Sequence, residues 1–221
     1  VADEIVVVLD QRVAIGGIEA LDGIADRVVR AEYEAPLEAN LAWMHSLCSG
    51  DWVLRLDGDE VPSQALVRRL AQSDWHNDVT HAFVNRRWVW GDESRVLDEH
   101  PWWPDPQLRL VNNATGMVEF PERTHDLPVI GGFRRYLDEA IYHLDLSVSD
   151  EAQRRAKATA YERDQPGLRT EDGRPQNFGF YVPESADRDP TVTTGTPRLQ
   201  AAEIAVDDLL GRIDFRARRN A

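Results

Sequence analysis

The sequence predicts an α/β protein: a mixed sheet flanked by helices, with a C-terminal helical extension. Over the first seventy or so residues, short apolar runs alternate with segments of helical period, as in parallel strands joined by covering helices. Beyond about residue 80 the texture turns to β-rich, aromatic and proline-broken segments, which read as mixed or antiparallel sheet. With 42% hydrophobic and 29% charged side chains over 221 residues, the chain falls among ordinary globular proteins with enough apolar material for a core.

The first strands are expected at Glu4–Leu9, Arg27–Ala31 and Asp51–Leu56. Between them, Ile15–Ala25 and Pro36–Cys48 carry apolar residues three and four apart, such as Leu37, Leu41, Met44 and Cys48, which share one helical face. A further helix is predicted over Ser63–Ala71, entered from Pro62. Thr80–Trp90 is β-rich and is followed by a turn at Gly91-Asp92; Leu108–Val111 and Ala140–Leu144 are short strands. Ser149–Asp164 is alanine-rich and helical, with Arg154, Arg155 and Lys157 expected on a solvated face. Gln165–Pro197, rich in Gly, Pro, Asp and Thr, reads as a long loop, and Arg198 to about Arg218 as a last amphipathic helix.

A net charge of −14 makes duplex nucleic acid and anionic membrane poor partners for the surface as a whole. The longest apolar run, Ile5–Leu9, is far short of the roughly twenty residues of a membrane helix. No transmembrane segment is expected. The single cysteine, Cys48, rules out an internal disulfide, and no charged start leads into an apolar leader, so the expected compartment is cytoplasmic.

The most informative stretch is the run from Asp51 to Glu60, a strand that ends in Asp57, Asp59 and Glu60. Ligands in open α/β sheets bind beyond the carboxyl ends of strands, so these acids stand where a site is expected. If the extended conformation persists, Asp57 and Asp59 point to the same side. Two adjacent carboxylates repel unless a cation lies between them, and Mg²⁺ or Mn²⁺ takes such oxygens together with phosphate oxygens. A solvated acidic turn is the alternative reading of the same spacing.

The run Trp52-Val-Leu-Arg-Leu-Asp-Gly-Asp-Glu60, following a βαβ unit, resembles the Asp-X-Asp segment of GT-A type nucleotide-sugar glycosyltransferases, in particular glycosyltransferase family 2. Ala2–Val8 looks like that family's second strand, and Trp103–Leu110 is similar to its "P-D-x-x-x-R-L" strand. Thr124-His125-Asp126 looks like its segment near the acceptor, and Ile141-Tyr142-His143 like its late histidine-bearing strand. The resemblance spans about residues 2–165 and begins at the family's second strand, so either the first, which would carry part of the nucleotide site, lies outside the given sequence or the site is incomplete. After Asp10 the family's usual "D-G-S-T-D" turn is replaced by Gln11-Arg12-Val13-Ala14, and its "A-R-N" by Glu38-Ala39-Asn40.

The resemblance implies a GT-A-like (Rossmann-related) catalytic domain over residues 1–147, with helices and a long loop of residues 148–221 packed on it. It implies inverting transfer of a sugar from a nucleoside-diphosphate sugar to a hydroxyl acceptor, dependent on Mn²⁺ or Mg²⁺. Asp59 would bind the metal, with Asp57 assisting through water or holding the ribose, and His143 as a further ligand. Asp126 would be the general base, and Asp10 would face the nucleobase. Asp105, Arg109, His125 and Trp103 are assigned to acceptor binding or structural support, Asp105 and Arg109 reading first as an ion pair. Of Trp88, Trp90, Trp102 and Trp103, one or two would stack on a sugar, the rest being core.

Two other readings stay open. A glycoside hydrolase or metal-dependent phosphohydrolase would need two carboxyl groups about 5–9 Å apart, for which Asp57 and Asp126 are candidates. A non-catalytic module that binds sugar or nucleotide would keep the fold and lose the turnover.

Overall fold

The computed structural model describes residues 2–12, 21–32, 37–72, 78–91, 95–113, 118–121, 128–164, 166–169, 173–185 and 190–194. In chain order these form β1 (Val6–Asp10), β2 (Arg27–Ala31), α1 (Leu41–Ser46), β3 (Trp52–Leu54), β4 (Glu60–Pro62) and α2 (Gln64–Leu70). There follow β5 (His81–Trp88), β6 (Arg95–Leu97), β7 (Pro106–Asn112), β8 (Val118–Glu119), β9 (Val129–Ile130) and β10 (Arg134–His143). The last are α3 (Asp145–Val148), α4 (Glu151–Asp164), α5 (Gln176–Tyr181) and β11 (Val192–Thr194). The result is a mixed α/β architecture.

β1 and β2 form a parallel pair, as the alternation predicts. The third expected strand departs from the pattern: β3 pairs antiparallel with β7, at the edge of a five-stranded mixed sheet ordered β3-β7-β5-β10-β4. Apolar alternation sets which face of a strand is buried, but carries no information on which neighbour supplies the hydrogen bonds. β10 runs parallel to β5 and antiparallel to β4. It starts six residues before the expected Ala140, because Arg134, Arg135, Asp138 and Glu139 disguise its first half as polar loop. A register shift between Leu137 and Ala140 interrupts its pairing with β5.

Helix α2 starts where the sequence placed it. Ser63 caps it, its hydroxyl accepting from Leu66 N at 3.1 Å. Leu66 then packs with Ala82, Val84, Leu110, Leu137 and Ile141 to form the core under the five-stranded sheet. A second cluster joins Trp88, Leu97 and Trp102 to Leu146, Ala158, Tyr181 and Val182, seating α4 and α5 against the end of the sheet. Residues 165–197 are therefore not all loop: they contain α5 and β11, held by burial of Tyr181 and Val182 and by pairing with β6 rather than by a repeating pattern.

Arg154 is likewise not on a solvated face. Its guanidinium is buried, donating to Tyr181 O at 3.0 Å and Ser149 O at 2.7 Å and pairing with Glu184. Arg155 stays exposed beside Glu151. The expected helix over 15–25 lies mostly, and that over 198–218 wholly, outside the described residues. Among the described residues no helix is long and apolar enough to cross a membrane.

Asp98, next to β6, binds Arg87 at 2.5 Å and accepts from Thr193 Oγ1 at 2.7 Å, tying β5 and β11 together. The Thr193 hydrogen bond and the Arg87 guanidinium hold its carboxyl below the ordinary range. A carboxyl depressed on folding stabilises above its unfolded pKa of about 4, and that stabilisation is lost as pH falls through the folded value. Asp98→Asn is expected to lower stability in urea melts at about pH 7 and to converge on the wild type at the acid end of the series, below the unfolded value.

Candidate functional site

β3 ends at Leu54, and the chain turns over Asp57-Gly58-Asp59-Glu60, with Glu60 N donating to Asp57 O at 3.0 Å. The extended alternation expected through Asp59 therefore stops short of the acids. Asp57 and Asp59 are turned to different partners. Asp57 Oδ2 accepts from Arg109 Nη2 at 2.7 Å, and the same nitrogen contacts Glu60 Oε1. Arg109 is 2% exposed and the Glu60 side chain is fully covered, so this is an ion pair inside the protein. Burial resists ionisation of Asp57, but Arg109 and then Arg55 outweigh it and hold the carboxyl below its ordinary value.

Asp105 does not pair with Arg109, contrary to the first expectation. Its carboxylate accepts from Arg86 Nε at 2.7 Å, Trp88 Nε1 at 2.8 Å and Gln107 Nε2 at 2.6 Å. Arg86 also reaches toward Glu60 at 3.7 Å, so Asp105, Arg86, Glu60, Arg109 and Asp57 form one alternating chain of charge. Asp105 is thus a structural anchor for Trp88.

Asp59 has different partners. Its Oδ2 lies 3.3 Å from His143 Nε2, and its carbonyl accepts from Leu144 N at 2.8 Å. The antiparallel register that sets His143 opposite Glu60 brings the end of β10 to this turn. Trp88 meets the His143 ring edge-on with centroids 4.2 Å apart, and the buried Nδ1 has no hydrogen-bond partner among the described residues. Burial again opposes charge on Asp59; the hydrogen bond and charge of His143 overcome it and hold the carboxyl far below the usual range. Lys157 contributes at longer range, while its ammonium lies 3.1 Å from Asp145 Oδ2.

The remaining predicted residues are dispersed. Asp10 ends β1 and is clasped by Arg12, with Nη2 at 2.6 Å. Trp103 lies under the Arg87 guanidinium, 3.4 Å from ring centre to Cζ. Trp88 and Trp102 belong to the core, Trp102 donating to Phe180 O at 2.9 Å. His125 and Asp126 lie outside the described residues.

A cavity of about 320 Å³ opens between β1, α1 and β3. Val6, Val8, Leu41, Met44 and Phe120 line it, together with Arg55, Asp57, Gly58 and Arg109; Asp59 and His143 do not. His45 also faces it, bonded to Asn113 Oδ1 at 2.5 Å. The roles of Arg55, Arg86 and His45 had no signal in the sequence, whereas Glu60 stood within the motif.

Asp59 and His143 are the side chains that could hold a divalent ion at this turn. Asp59 offers a carboxylate beside an imidazole nitrogen, and Mg²⁺ sites commonly take one or two carboxylates with phosphate oxygens and water supplying the rest. Among the described residues no three His, Cys, Asp or Glu side chains are grouped to hold an ion by themselves. Compared with known proteins, the chain matches no family model and no curated protein.

Removing one partner of a buried ion pair leaves the other unpaired and costs about 3–5 kcal/mol. Arg109→Met is expected to lower unfolding free energy by about that amount in urea titrations, with Glu60→Gln added to Arg109→Met recovering part of it.

Proposed function

We propose that the chain is an inverting, divalent-metal-dependent glycosyltransferase of GT-A type that moves a sugar from a nucleoside-diphosphate donor to a hydroxyl acceptor. The observation that carries the reading is the pairing of Asp59 with His143 at 3.3 Å on the turn after β3, within a segment that resembles the family's Asp-X-Asp element. Two elements distant in sequence supply an oxygen and a nitrogen donor at one point, and neither donor is needed to balance the buried Arg109.

Asp59 and His143 hold Mn²⁺ or Mg²⁺ in this reading. When bound, the ion offsets the charge of the diphosphate leaving group. The chain's own residues divide the other tasks. Asp57, oriented by Arg109, accepts a hydrogen bond from the donor's ribose. Trp88 limits the swing of the His143 ring and keeps its Nε2 toward Asp59. Asp126, assigned by the resemblance, takes the proton from the acceptor hydroxyl so that attack comes from the face opposite the nucleotide.

A panel of nucleoside-diphosphate sugars with manganese tests this reading. The matching donor should raise the melting temperature only with the metal, by the mass-action amount, and should be turned over slowly without acceptor. Asp59→Ala is expected to remove both effects; Asp126→Asn should retain donor binding and lose transfer. Binding without turnover of any donor, with acceptors supplied, would reduce the chain to a sugar- or nucleotide-binding module.

A further inference from the structure

Lys157 is the one lysine among 25 basic side chains, and the fold sets it near the Asp59–His143 pair. Arg154, Lys157, Ala158 and Tyr161 recur three and four positions apart and share the face of α4 that packs toward the Trp88 cluster. Asp145 opens α3 only two residues after His143, so the carboxylate that holds Lys157 is tied by the chain to the end of β10. The ammonium lies 3.1 Å from Asp145 Oδ2 and 4.7 Å from the centre of the Tyr181 ring, and its charge acts on both Asp59 and Tyr161. The solvated face expected for Lys157 holds only in part. Its side chain is 32% exposed and that of Asp59 26%, so both reach solvent.

Asp145 is buried; its Oδ1 accepts from Ser149 Oγ at 3.1 Å, while Oδ2 has the ammonium beside it without a hydrogen bond. Among the described residues the N–H groups of Lys157 therefore remain open donors. A guanidinium in this place would lock onto Asp145 in a planar fork, whereas an ammonium turns on its stem. Asp59 and Asp145 set two negative charges against the one positive charge of Lys157. A divalent ion at Asp59 and His143 makes the cluster net positive; without Lys157 the same ion would only match the two carboxylates. The lysine thus decides whether the loaded site attracts an anionic group. We propose that Lys157 is a second cation of the donor site, donating its N–H groups to diphosphate oxygens beside the ion. The identity of the ligand rests on the transferase reading. As the bond from sugar to oxygen breaks, its electron pair stays on the diphosphate oxygen, and Lys157 meets that charge with hydrogen bonds while keeping its proton.

The test is calorimetric titration of the full chain with inorganic pyrophosphate in magnesium buffer, a probe that needs neither nucleobase nor turnover. Saturable binding is expected, weakened about tenfold or more by Lys157→Met and partly restored by Lys157→Arg. Because Lys157→Met leaves the buried Asp145 unpaired, the double variant with Asp145→Asn is titrated as well, and its melting temperature reports that it is folded. Binding should stay weak in the double variant and be retained in Asp145→Asn alone. Wild-type affinity in the double variant, the mark of a lysine that serves only Asp145, overturns the assignment, as does no binding of pyrophosphate by the wild type. Donor turnover at the wild-type rate in the double variant would remove Lys157 and leave the transferase reading standing. Lys157-dependent binding with no donor sugar turned over would do the reverse.

Discussion

The buried pairing of Arg109 with Glu60 and Asp57 is the constraint around which this part of the molecule is arranged. A guanidinium at 2% exposure needs its counter-charge in place, and the turn after β3 provides it by folding Asp57 and Glu60 back toward β7. The turn's own hydrogen bond, Glu60 N to Asp57 O at 3.0 Å, follows from that closure. Asp59, one position from Glu60, is thereby left outside the pair and free to meet His143. A single cation inside the protein thus gives one of the two neighbouring carboxylates a partner that the other does not share.

The sheet register completes the arrangement. β4 is only three residues long, yet its pairing with β10 sets Glu60 opposite His143 and Ile141 opposite Pro62. The same residues of β10 pair on the other side with β5, His143 opposite Trp88. Trp88 is held by Asp105, which is held by Arg86, which reaches Glu60. Charge and packing therefore lead back to the same turn from both flanks of β10. The helices α4 and α5 enter through the Trp88 cluster, so they support the site without lining the cavity.

Much of the local structure was legible beforehand. The apolar alternation marked β2 to the residue, and Ser63 after Pro62 marked the start of α2. Asp59 and His143 were both singled out, and the structure brings them together. Asp57 was grouped with them but takes a different partner, Arg109, which is 52 positions away along the chain and reads in the sequence as a partner for Asp105. Arg154 was read as solvated because nothing local shows that Tyr181 and Glu184 close over it. Residues 165–197 read as loop because α5 is six residues long and owes its place to aromatic burial.

What the sequence by itself determined is what depends on neighbours in the chain: the faces of strands, the cap of α2, the acidic turn after β3, and the excess of negative charge. These follow from side-chain period, backbone preference and counting. The tertiary structure alone decided which acid meets which base, which strand lies beside β3, and where the cavity opens. Those outcomes turn on contacts between residues tens of positions apart, and a buried charge takes the partner that the fold delivers to it, not the one written closest by.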